Sequence, residues 1–169
     1  MESDLRRILR KNARALADEL AGQLTSRSIS RYREMDARVL SVRCRLLTEA
    51  LVRSAQEGWE HLGEFVASIA GGRVADGFEL EDLQTTLRIL EVRVWLIVAN
   101  ESTPDSLRAS LTALNTMFGY ARDELARAFR ARAYATTPST RLARLEVTEL
   151  FRGTDSALLT SSCCQAQGQ

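Results

Sequence analysis

Apolar residues recur along this chain at alternating steps of three and four, the spacing of one buried helix face. The pattern is fullest from Leu80 to Val98, where Leu80, Leu83, Leu87, Leu90, Val94 and Ile97 share a stripe. Leu5, Ile8, Leu9, Leu16, Leu20 and Leu24 predict an earlier helix from about Leu5 to Gln23, with most of its charges off that face. Leu40, Cys44, Leu47 and Leu51 predict another from about Met35 to Gln56, its face widened by Val39, Leu46 and Ala50. A shorter one covers about Leu62 to Ala75 and buries Leu62, Phe65, Val66, Ile69 and Ala70. From Leu107 to Ala128 the residues Leu111, Leu114, Phe118, Ala121 and Leu125 keep a heptad-like spacing, in a helix running to about Ala133. Leu142, Leu145, Val147 and Leu150 mark a last short helix from about Thr140 to Phe151.

Breaks between these stripes carry recognisable end signals. Gly58 closes one helix, and Gly77, in Asp76-Gly77-Phe78, supplies the left-handed residue that ends the next. Thr103 suits an N-cap, Pro104 the first helical position and Asp105 the positive helix end. Gly71-Gly72 falls inside a helix pattern, where each glycine costs about 1 kcal/mol relative to alanine, so close packing or a kink is expected there. Val92 to Ala99 is apolar nearly all round, which predicts a central helix. The fold class is all-α: a single-domain bundle of five to six helices, with a globin-like arrangement among its forms. Residues 1–134 would form the bundle, 135–152 a C-terminal helix, and 153–169, without periodicity, a disordered tail.

Composition narrows the function classes. At 169 residues the chain can bury a real core, and its net charge of +1 offers no global field toward nucleic acid or an anionic membrane. No apolar run approaches the roughly 20 residues of a membrane helix, and the charged N-terminus lacks a signal-peptide core. Cytoplasmic is therefore the expected location. Three cysteines, Cys44 on an apolar face and Cys163-Cys164 in the tail, do not make a disulfide framework.

Candidate chemistry is sparse. No phosphate loop, dinucleotide fingerprint, nucleophile elbow or zinc spacing occurs, and no metal or cofactor is expected. His61, the only histidine, could hold a haem in a globin-like fold, but Trp59-Glu60-His61-Leu62-Gly63 supplies no second ligand. Cys44 reads as a small core residue rather than a nucleophile. Arg122, Arg127, Arg130 and Arg132 read as a solvated helix end before a nucleic-acid patch. Arg73 continues the inner face of Phe65 and Ile69, so its guanidinium requires a carboxylate, a carbonyl or a ligand. With His61 and Trp95 it makes up the candidate ligand-pocket set.

The run Phe65 to Trp95 resembles the N-terminal domain family of the RsbT co-antagonist RsbRD type. Ala70, Arg73 and Gly77 match its turn, and Phe78, Leu80 and Leu83 the start of its long apolar helix. The resemblance implies a non-enzymatic helical sensor domain in bacterial stress or transcriptional signalling. Such domains usually precede an output module; the roughly 35 residues after Arg132 are too few for one, so the expectation is either a stand-alone member acting in trans or a piece of a larger protein. The expected partners are a second copy of the chain, through the heptad-like helix and the leftover apolar residues of the last short helix, and a signalling protein; membrane and nucleic acid are not expected. A small-ligand or haem-binding globin-like sensor is the alternative, and a DNA-binding regulator the third.

Overall fold

Helix stripes of this kind are stable only when packed against one another, and the computed structural model shows how they do so. It describes residues 4–26 and 30–136. Six α-helices follow in order: α1 Asp4–Ser26, α2 Ser30–Arg33, α3 Ala37–Glu57, α4 Glu60–Ala75, α5 Leu80–Glu101 and α6 Pro104–Thr136. α1 packs against α3 and α5, and α3 against α4. The helix expected over 140–151 and the expected tail lie outside the described residues. The helix contacts lie within the compact unit Met1–Arg130.

Most predicted faces are the buried ones. Leu5, Ile8, Leu9, Leu16, Leu20 and Leu24 of α1 meet Leu40, Cys44, Leu47 and Leu51 of α3 and Leu83, Leu87, Leu90 and Val94 of α5 in one core. Leu114, Phe118, Ala121 and Leu125 of α6 are buried in that core too. The heptad-like seam expected to join two copies is therefore spent inside one chain.

Two expectations about faces need correction. Val39 and Leu46 do not widen the α3 core face; they are exposed, with Val42 between them. α5 is not central: Val92, Trp95 and Leu96 are 51%, 39% and 50% exposed. Side chains lie about 100° apart along a helix, so a segment apolar all round keeps an outer face wherever neighbours cover only one side.

Helix ends follow local chemistry where the sequence supplies it. Phe78 N–H donates to the Arg73 carbonyl at 2.9 Å and Gly77 N–H to Val74 at 3.0 Å, a Schellman closure with Gly77 at φ 79°. Asp36 caps α3, its carboxylate accepting from Arg38 N–H at 2.8 Å and Val39 N–H at 3.2 Å. α6 starts at Pro104 as predicted, with Ser106 and Leu107 N–H groups donating to the Thr103 carbonyl.

Two caps come from elsewhere in the chain. Trp59, at the N-cap of α4, makes no side-chain capping bond. Leu62 N–H instead donates to the buried hydroxyl of Ser54 on α3, at 2.7 Å. The Thr103 N–H before α6 donates to Asp4 of α1 at 3.2 Å, and the same carboxylate oxygen accepts from Ser106 Oγ at 2.6 Å.

Gly72 has no neighbour within 4 Å of where a Cβ would stand, so close packing is not its reason. The close approach is at Gly63, where a Cβ would lie 2.4 Å from Cδ1 of Tyr120. Tyr120 also meets Trp59 edge to face, centroids 4.8 Å apart, so α4 and α6 pack through a glycine notch and an aromatic pair.

Candidate functional site

The turn between α4 and α5 brings chemistry together with a cavity. Because Gly77 closes α4 sharply, Phe78 folds back under the helix it has just left. Its ring packs on Tyr32 of α2, centroids 5.0 Å apart, and lies beneath the Arg73 guanidinium, 5.5 Å from the charge centre. Tyr32 and Arg73, the two residues that Phe78 touches, also line a cavity of about 40 Å³ whose wall includes Arg43, Cys44 and Thr86. Leu40, Leu47, Val66, Leu83 and Leu87 complete most of an apolar interior.

Polar groups of the cavity differ in how they are satisfied. Tyr32 Oη and Thr86 Oγ1 are 2.7 Å apart, and Thr86 Oγ1 donates to the Asp82 carbonyl, so the tyrosine is the donor of that pair. Burial pushes the Tyr32 phenol up to about 12 and the Cys44 thiol up to about 11, so both are neutral near pH 7. A thiol held protonated in an apolar wall is a poor nucleophile, which agrees with a packing role for Cys44. Arg43 donates to Asp76 at 3.0 Å and to the Met35 sulfur at 3.6 Å. Arg73 is the exception: its Nη1 is buried and hydrogen-bonded to no protein group. The requirement that the sequence placed on this residue is met by an aromatic face on one side and left open on another.

The other two residues of the candidate set lie elsewhere. His61 lines a surface groove with Leu46, Arg53 and Phe65, its Nε2 3.5 Å from Glu57 and its Nδ1 3.6 Å from Glu64. Trp95 stands on the outer face of α5. The structure therefore does not gather His61, Arg73 and Trp95 into one pocket. Sequence reasoning missed Tyr32 and Thr86: the short α2 has no periodicity, and a lone threonine in a leucine stripe gives no sign of a partner 54 residues away.

Charged clusters are largely engaged within the chain. Arg122 pairs with Glu91 of α5, Arg127 with Glu124 at 2.7 Å, and Arg130 donates to the Ala126 carbonyl. Glu19 of α1 pairs with Arg93 of α5, and Glu101 accepts from Lys11 and Asn12. A wide groove of about 800 Å³ beside α6, lined by Leu5, Trp59, Ser110, Ala113 and Met117, holds no such cluster of charge. Among the described residues no three His, Cys, Asp or Glu side chains group as metal ligands, and no helix is long and apolar enough to cross a membrane.

Comparison with family models, with curated proteins and with solved structures finds no match to this chain. The fold defines the class, an all-α helical bundle.

Proposed function

We propose that this chain is a non-enzymatic regulatory domain of the RsbRD N-terminal type, acting in the cytoplasm through contact with another protein, with a second copy of itself as the first such contact. The observation that carries this reading is the outer face of α5. Val92, Trp95 and Leu96 stand at i, i+3 and i+4 and are all substantially exposed. A contiguous apolar stripe left uncovered on a folded domain marks an interaction surface, and tryptophan is the residue type most enriched at interface centres. The stripe is also suited to itself. With a two-fold axis between Val92 and Trp95, each copy's tryptophan meets the valine of the other, as an isologous contact requires. The hairpin residues that carry the family resemblance, Arg73, Gly77 and Phe78, build the α4–α5 turn at the start of that same helix.

Light scattering of the full chain across a hundredfold range of concentration tests the reading. The expected outcome is a mass moving from one chain toward two as concentration rises. A mass of one chain at the highest concentration would overturn it.

A further inference from the structure

Arginine is the costliest side chain to leave short of a hydrogen bond inside a protein, because its charge is fixed and its donors are set in a rigid fork. Arg73, a partly buried residue, is in that position at one atom, with Nη1 buried and making no hydrogen bond, and it lines the cavity. Two acidic groups near it in sequence are engaged elsewhere. Asp76 accepts from Arg43, and the Asp82 carboxylate accepts from Glu79 N–H at 2.9 Å. A second arginine, Arg31, lies over the same turn: a Cβ on Gly77 would be 2.9 Å from its Nη2. The unsatisfied Nη1 donor therefore calls for an acceptor, and the fixed charge of Arg73 suits an anionic one. The apolar part of the wall, which includes Leu40, Leu47, Val66 and Leu83, calls for hydrocarbon.

Size selects among anions that also carry hydrocarbon. A water needs about 10–15 Å³ of such free volume, so about 40 Å³ holds roughly three or four waters, or about five covalently bonded atoms, which pack closer than waters do. That fits a carboxylate with one or two carbons attached and is too small for a ring or a nucleotide. We propose that the cavity between α2, α3, α4 and α5 is a binding site for a short-chain monocarboxylate. The carboxylate accepts from Arg73 Nη1, and the alkyl end lies on the leucine and valine wall. The Tyr32–Thr86 pair stands at the polar side, where the tyrosine oxygen is already a donor to Thr86 and repels no alkyl group by charge. Arg73 lies in the last turn of α4 and Phe78 in the turn that launches α5, so an occupant held by Arg73 ties α4 to the start of that helix. The site is independent of the α5 contact proposed above, and its test does not require self-association.

The probe is sodium propionate added to the full chain at fixed ionic strength, with propionamide as the neutral isostere and inorganic phosphate as an anion without hydrocarbon. Binding is read by the ring proton resonances of Tyr32 and Phe78 and by the melting temperature. Propionate is expected to shift those resonances saturably and raise the melting temperature, with propionamide and phosphate at least tenfold weaker. Arg73→Gln, which keeps most of the volume and removes the charge, is expected to lose at least tenfold in propionate affinity. Equal binding of propionamide, tighter binding of phosphate, or no saturable shift at Tyr32 and Phe78 would each overturn the proposal. These comparisons use the unaltered chain, so they decide the matter even if Arg73→Gln fails to fold.

Discussion

At the scale of single residues, the glycines separate backbone need from side-chain space. Gly63 gives Tyr120 its seat, and a methyl group there would overlap the ring edge at 2.4 Å. The ring must move and its contact with Trp59 be lost, so Gly63→Ala should destabilise by about 1–3 kcal/mol despite alanine's better helix propensity. Gly72 has open space at the same atom, and Gly72→Ala should stabilise by about 0.5–1 kcal/mol. Urea unfolding followed by circular dichroism checks both, and opposite signs are the expected result. From sequence, the adjacent pair Gly71-Gly72 draws attention and Gly63 does not. A packing glycine is defined by what faces it, here a residue 57 positions later on another helix (120 against 63), and nothing local records that. Gly77 was legible for the converse reason: its left-handed φ is set by its own helix end.

At the scale of helices, periodicity read out the inner faces of α1, α3, α5 and α6 because burial imposes its spacing on every turn. What it could not show is how α4 and the Thr103 turn are completed. Ser54 supplies the acceptor for Leu62 N–H, and Ser54→Ala would leave that buried donor unsatisfied, costing about 1–3 kcal/mol by the same unfolding measurement. Asp4 does the equivalent for Thr103, across 99 residues. The Ser106 hydroxyl, the Arg7 guanidinium and the Thr103 N–H, in that order, hold its carboxyl far below the ordinary value near 3.8. A carboxylate more acidic in the folded state stabilises the fold fully above its unfolded value and loses that contribution as pH falls below it. The melting temperature of the native chain should therefore exceed that of Asp4→Asn at about pH 6. The gap should close as pH is lowered through the region below 3.8, whereas a gap unchanged down to about pH 2 would mean that the charge is not what holds the two helix starts together.

At the scale of the whole molecule, the informative helix is α5, because its sequence alone predicts burial on every side and the fold covers only one. Hydrophobic pattern states how much apolar surface an element carries, and the arrangement of neighbours decides which part reaches solvent. Two kinds of substitution on the same helix separate these cases. Leu90 is fully buried and Leu87 nearly so, and a carboxylate at either has neither water nor partner, so Leu90→Asp or Leu87→Asp should abolish cooperative folding. Trp95→Glu with Leu96→Glu places two carboxylates only five and six residues along (95 and 96 against 90), but on the outer face. If α5 were enclosed, that pair would unfold the domain as surely as Leu90→Asp. With the exposed face seen here, helicity and melting temperature should stay close to those of the native chain, because surface changes usually stay within about 0.5 kcal/mol each. Its effect should fall on association instead: four carboxylates meet across a two-fold contact, and like charges that close in a water-poor interface cost several kcal/mol. The expected scattering mass of the double variant is therefore that of one chain at concentrations where the native chain pairs. A variant that folds normally and still pairs would move the contact off α5 while leaving the fold as described. One that does not fold would return α5 to the interior that its sequence alone suggests.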